Sequence, residues 1–327
     1  MNFVARMKNA GLETATECTL LYADMPRLDA ADFVARLEQA IGPNAAVSDI
    51  RDHAAGSTRF LSFMAGGCAV AIEASKDTRP ASVYFEALDW PMLHRTFPEA
   101  EEAVRNHTAH IQIAVEAEYD AVANALGMRA VNTSFTRSTL AGRAAAAICR
   151  TALPLAIHWK HSEMLFKPGP FLRELETEPV EIFVKVTPFS SNRMIDGVRT
   201  VGGSTRGAAD LLGCEVVLEE APVPVDWVMR TLHCFVARCH SEGRYLPHLA
   251  TYAPGKGDIM IVRHLDSTPE IDTPHVSLEV RRADEFGFDA TEADDLALAK
   301  VKKPDWDGRD RRQRPQSAKP FGRRGLA

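Results

Sequence analysis

The spacing of apolar positions changes repeatedly along the first part of the chain. Residues 18–23 (CTLLYA) form a short apolar run of strand length, stopped by Met25-Pro26. From about Asp29, Phe33, Val34, Leu37 and Ile41 recur at helical spacing, and Gly42-Pro43 supplies the stop. Two β-like runs follow, 59–64 and 68–73, separated by Ala65-Gly66-Gly67, where the glycines allow a tight hairpin turn. A helical stretch is predicted over 82–94 and another from Pro98, since proline is tolerated in a first helical turn. In 107–115 (HTAHIQIAV), Ala109, Ile111, Ile113 and Val115 alternate with other positions, which predicts a half-buried strand. The order β-α-β-β-α-β is compatible with a ferredoxin-like first half, and other α+β arrangements fit it too.

After helical stretches at 119–126 and 139–151, the second half opens with strand-like 153–158 (LPLAIH) and a short strand at 164–166. A short helix is expected over 171–175, and VEIFVKV at 180–186 alternates as a strand. Asp196-Gly197 turns the chain into 198–201, followed by a glycine-bearing loop, a short helix to Leu212 and a strand at 215–218. Residues 225–239 carry one apolar stripe through Val228, Leu232, Phe235, Val236 and Cys239, ending at Gly243. Strands near 248–252 and 259–263 read as a terminal hairpin. Cys18-x7-Pro26 and Cys214-x7-Pro222 each precede a helix, which raises the prospect of two related halves. The expected class is α+β, with two related halves built on mixed or antiparallel sheets. The divisions fall at 1–150, 151–265, a weakly structured extension over 266–301, and a disordered basic tail over 302–327.

Composition narrows the class. The chain has 327 residues, 46% hydrophobic and 25% charged, enough for one large or two ordinary globular domains. No apolar run reaches the ~18–20 residues that span a bilayer, so no membrane role is expected. The opening MNFVARMKNAGLETATE lacks a signal-peptide core, and the six cysteines are too thinly spread for a disulfide framework. A cytoplasmic location is the expectation. From Lys302 onward nine basic residues oppose three acidic ones, a net +6, which leaves −12 of the overall −6 on residues 1–301. Such a body repels phosphate backbones and makes a poor nucleic-acid binder. It suits a basic protein partner, while the tail reads either as a docking segment for an acidic partner or as a solubilising extension.

The candidate chemistry is sparse. His107 and His110 sit three apart on a strand, where side chains point to opposite faces. His233, Cys234, Cys239 and His240 share one helix, yet the histidines lie seven apart rather than the three or four usual for helical zinc ligands. No metal and no cofactor is expected, and no spacing singles out catalytic residues. His158, Trp159 and His161 lie at a strand end, where a turn could bring them together around a ligand. The plainer alternative is a packed Trp beside solvent-facing His and Lys. Gly202, Gly203 and Arg206 belong to GGSTRG at 202–207, which lacks the Lys-Ser/Thr of a phosphate loop; its amides and Arg206 could still receive an anion.

The segment 153–246 resembles a known family. LPLAIHW, Phe166-Lys167-Pro168 with Phe171, VEIFVKV, Asp196-Gly197 with Thr200-Val201-Gly202, Leu212-Gly213-Cys214-Glu215, Trp227 and Gly243 resemble the bacterial domain of unknown function 4261. That family has no established activity, so the resemblance implies a fold and assigns no functional residue. The threonine–glycine turn, Gly-x-Glu strand and Trp-containing helix also resemble, more distantly, suppressor-of-fused-like domains, whose bacterial members are thought to bind proteins or neutralise toxins. The expectation is a non-enzymatic protein-interaction module, immunity-like or accessory. The alternative is a small-molecule-binding or hydrolytic protein with a cleft near His158, Trp159, His161 and the 202–207 loop.

Overall fold

The computed structural model describes residues 15–42, 46–117, 131–242, 246–255, 258–266 and 274–282. Its fold is α+β, and the described residues form two compact units that meet in sequence at Lys185 and Val186.

The first unit opens with β1 (Thr16–Tyr22) and α1 (Ala30–Ile41). Asp29 caps α1 by accepting the Asp32 N–H at 2.9 Å, worth ~1 kcal/mol, and Phe33, Val34 and Leu37 form its buried stripe. Three strands follow as a meander: β2 (Val47–Ala55), β3 (Thr58–Ala65) and β4 (Cys68–Ser75). A single 3₁₀ turn (Ala81–Tyr84) leads into α2 (Phe85–Leu88), α3 (Leu93–Thr96) and α4 (Ala100–Asn106). The continuous helix expected over 82–94 is therefore a series of single turns, interrupted around Trp90-Pro91. Next come β5 (Ala109–Ala117), α5 (Val131–Cys149), β6 (Ala156–Trp159), β7 (Met164–Phe166), α6 (Pro168–Thr177) and α7 (Val180–Phe183).

The sheet order is β2-β3-β4-β5-β1-β6-β7, with every neighbouring pair antiparallel. A ferredoxin-like layer would insert β1 between β4 and β5. Instead β4 and β5 pair directly from Cys68↔Ala117 to Ser75↔His110, and β1 is flanked by β5 and β6. The boundary expected at residue 150 moves to 185 for the same reason: Cys18↔Trp159 and Leu20↔Ile157 tie β6 to the middle of this sheet. One face packs its apolar side chains, including Leu20, Ile72, Ile111, Ile113 and Ile157, into a core covered by α1 and α5. VEIFVKV is a strand only from Lys185 onward. Pro179 opens one helical turn, which sends both Ile182 and Phe183 inward where a strand would divide them between faces.

The second unit contains β8 (Lys185–Phe189), the short hairpin β9 (Met194–Ile195) and β10 (Val198–Arg199), then β11 (Val201–Arg206), α8 (Ala208–Leu212) and β12 (Glu215–Ala221). It continues with α9 (Val225–Glu242), β13 (Thr251–Gly255), β14 (Asp258–Leu265) and β15 (His275–Arg282). The sheet order is β13-β14-β15-β12-β11-β8. It is mixed, because β12 and β15 run parallel while β11–β12, β13–β14 and β14–β15 are antiparallel. The extension assigned to 266–301 thus supplies an interior strand, β15, whose Val276 and Leu278 are buried. The expectations for 119–126, Gly243 and 302–327 lie outside the described residues.

The two proline-marked segments lead into similar topology. β1–α1–β2–β3–β4 and β12–α9–β13–β14–β15 are each a strand, a helix and a three-stranded meander. In the second unit β15 pairs parallel with β12. In the first, β5 lies between β4 and β1, antiparallel to both, so β4 again runs in the direction of β1.

Candidate binding surface

Registered neighbours in a sheet project from the same face. His53, Phe60, Glu73, Gln112, Thr19, His158 and Leu165 form one line in register across all seven strands of the first sheet. This line lies on the face opposite the apolar core, and its two ends have different surroundings.

Around Thr19, His110 and His158 the face is covered by the segment running from Arg79 to His107, while Glu17, Ala114 and Glu116, further along β1 and β5, keep solvent exposure. Tyr84 is fully buried and sets its ring edge-on to His158, with centroids 5.1 Å apart, and to His107 at 6.0 Å. Burial pushes the Tyr84 phenol up to about 12, against the opposing pull of nearby Arg79. His107 accepts the Arg79 backbone N–H on Nε2 at 3.1 Å, which leaves its Nδ1–H to donate to the Val104 carbonyl. The Arg79 guanidinium donates to Gln112, Gln112 Nε2 donates to Glu17 at 2.9 Å, and Lys160 Nζ donates to Glu17 at 2.6 Å. His110 Nδ1–H donates to the Asp77 carbonyl at 2.8 Å, and burial lowers the pKa of this imidazole. The Arg79–Gln112 bond ties the covering segment to the sheet, and the others satisfy polar groups that would otherwise be costly to bury.

The sequence-predicted residues fall within this frame without converging. His158 Nε2 meets Glu163 Oε2 at 3.0 Å, and the Glu163 carbonyl accepts from Lys185 Nζ at 3.3 Å. Burial lowers the Lys185 pKa, with Glu163 opposing. Trp159, the next residue on β6, points to the other face and is fully buried against Phe183 and Phe171, with ring centroids 4.9 and 6.5 Å away. His161 Nε2–H donates to the Ala15 carbonyl at 2.8 Å, outside the pair formed by His158 and Glu163.

Gly202, Gly203 and Arg206 belong to the second unit and to a strand, β11, rather than to a loop. Gly203 is required by close approach: a Cβ there would stand 2.6 Å from Val228 Cγ1 on α9. At Gly202 a Cβ would meet the Leu218 carbonyl oxygen at 2.7 Å. The amides ahead of α8 do hold an anion, and it is the chain's own Glu215. Its carboxylate accepts from Gly207 N at 2.9 Å, Ala209 N at 3.3 Å and Thr205 Oγ1 at 2.6 Å. Burial raises the Glu215 pKa, opposed by these same hydrogen bonds. Arg206 is half-buried, and burial lowers its pKa with Glu215 opposing.

Over β2, β3 and β4 the same sheet face is open. Ala69 and Ala71 are exposed, and Phe60, Ser62 and Met64 are half-exposed, while their alternate neighbours Leu61, Phe63, Val70 and Ile72 are buried. His53 stacks on Phe60 with centroids 5.1 Å apart. Strand β2 closes the sheet at this side and is exposed from Ser48 to Ala55. Its outer edge, unpaired among the described residues, is guarded against strand pairing by Asp49, Arg51 and Asp52 and by a register shift between Ser48 and Arg51, where Asp49 takes a left-handed φ of 54°. The face, rather than the edge, is thus the accessible surface. Neither β2 nor this face was expected, because VSDIRDHAA has the polarity of a loop. The signal that could have located the face is the period-two alternation of CAVAIEAS, with small residues at every outward position but Glu73. No family model, curated protein or solved structure matches the chain.

Proposed function

We propose that this protein is a non-enzymatic protein-interaction module that docks a partner on the open face of the β2–β4 meander. The observation that supports this reading is a sheet face of which one half is covered by the chain's own helical turns while the other presents Phe60, Ser62, Met64, Ala69 and Ala71 to solvent. A sheet with one solvated face ordinarily turns polar side chains outward. Here the outward positions of β3 and β4 are mostly small or apolar. The −12 carried by residues 1–301 favours a partner of opposite charge. A ligand cleft around His158, Trp159 and His161 would need the three to converge, and they diverge to an ion-pair partner, the apolar core and a backbone carbonyl.

Affinity purification of the full-length protein and its Ala71→Arg variant, expressed in the source cells, tests the reading. A stoichiometric protein partner recovered with the first and lost with the second is the expected result. Equal recovery with both would overturn it.

A further inference from the structure

We infer that the occupant of the open face is a cationic amphipathic helix of the partner, laid across the strands between the Phe60–Glu73 line and the Met64–Glu116 line. This inference rests on the meander being a docking face. The two lines are set by register: Phe60↔Glu73 at one level, and Met64↔Ala69↔Glu116 at the other. They are four residues apart along each strand, or ~14 Å at ~3.4 Å per residue. Between them runs the low line Ser62↔Ala71↔Ala114. An α-helix with its side chains is ~10–12 Å across, so it fits this channel where a second sheet layer would overrun the walls. From Arg51 on β2 to Glu17 on β1 the channel crosses five strands, ~19 Å at ~4.8 Å per step, which matches about 13 helical residues.

The charges select the sign. Glu73 and Glu116 stand on opposite walls, and neither forms an ion pair with a described residue. Glu17 closes the far end and is already matched by Lys160, which shows the kind of group that this end accepts. A helix with apolar residues on Ala71 and Ala114 and Lys or Arg towards both walls would meet each carboxylate, with Arg51 and His53 left to its acidic or C-terminal end. The chain covers the adjoining half of this face with helical turns of its own, α2 to α4, so helical cover on this sheet has a precedent in the same molecule.

Three dye-labelled 14-residue peptides test the inference against the full-length protein by fluorescence anisotropy: Leu/Lys at helical period, Leu/Glu at helical period, and Leu/Lys in strict alternation. The helical Leu/Lys peptide is expected to bind alone. Glu73→Lys with Glu116→Lys should weaken it at least tenfold, and Ala71→Arg should abolish it, with circular dichroism confirming that each variant is folded. Preference for the Leu/Glu or the alternating peptide would overturn the inference, as would undiminished binding to the variants. If no peptide binds while Ala71→Arg still strips the cellular partner, the helix is wrong and the docking face stands. If the partner survives Ala71→Arg, the docking face itself is wrong.

Discussion

Over β5, β1 and β6 the outer face of the first sheet carries Gln112, Thr19 and His158, and the chain covers it. Over β3 and β4 the same face, in the same register, carries Phe60, Ser62, Ala69 and Ala71, and it is open. The two regions belong to one sheet and back onto one core, so what distinguishes them is the outward side chains and the segment that covers one of them. In the covered half Gln112 gives Arg79 a hydrogen-bond partner worth ~1 kcal/mol, and His158 gives the Tyr84 ring an edge-on partner. The open half offers area and shape with few directional groups. Such a surface can remain solvated in the free protein and contribute energy only when a complementary body arrives.

The comparison can be broken most forcefully at Tyr84. Its ring is fully buried against His107 and His158, and Tyr84→Ala should cost ~3–5 kcal/mol. A fall on the order of 10 °C in the melting temperature of the first unit, followed by circular dichroism, would express that loss. His158→Ala comes next. It leaves Glu163 without its imidazole partner at 3.0 Å and should cost ~1–3 kcal/mol by urea denaturation.

A third test sharpens the comparison through pH. Burial lowers the folded pKa of His110, in the covered half, below its ordinary value of 6.5. The unfolded chain therefore takes up a proton near pH 6.5 that the folded chain refuses until lower pH. The stability linked to this group is complete above pH 6.5 and is lost as pH falls through that value towards the folded pKa. His110→Gln should make the dependence of unfolding free energy on pH shallower below 6.5. An unchanged slope would mean that the covered half does not exclude the proton. The smallest effect on folding belongs to the open half: Ala71→Arg should change the stability of the free protein by less than ~0.5 kcal/mol while abolishing partner binding.

Much of the first sheet is legible in the sequence for a physical reason. CTLLYA is apolar at consecutive positions because β1 is buried on both faces, whereas CAVAIEAS alternates because β4 is buried on one. The same contrast encodes the covered and open halves, although it reads more readily as strand evidence than as a surface. Other features depend on partners far along the chain. β2 is a strand because β3 offers an edge, not because of its own polar residues. Residues 180–183 form a helical turn because Trp159 and Phe135 receive Phe183, overriding the alternation of VEIFVKV. GGSTRG resembles an anion loop because it shares the geometry of one, but its anion, Glu215, stands 8 residues beyond Gly207 and only the fold brings the two together. His158, Trp159 and His161 suggested a site by adjacency. Strand alternation sends the first two to opposite faces.

The central claim is that the open half of this face is where another protein sits. A photo-cross-linking amino acid placed at position 71 of the full-length protein in living cells tests it, with the exposed helical position 101 as the control. A discrete cross-linked protein at position 71, absent at 101 and lost when Ala69→Arg is added, is the predicted result. No cross-link at 71, or the same product at both positions, would contradict the account.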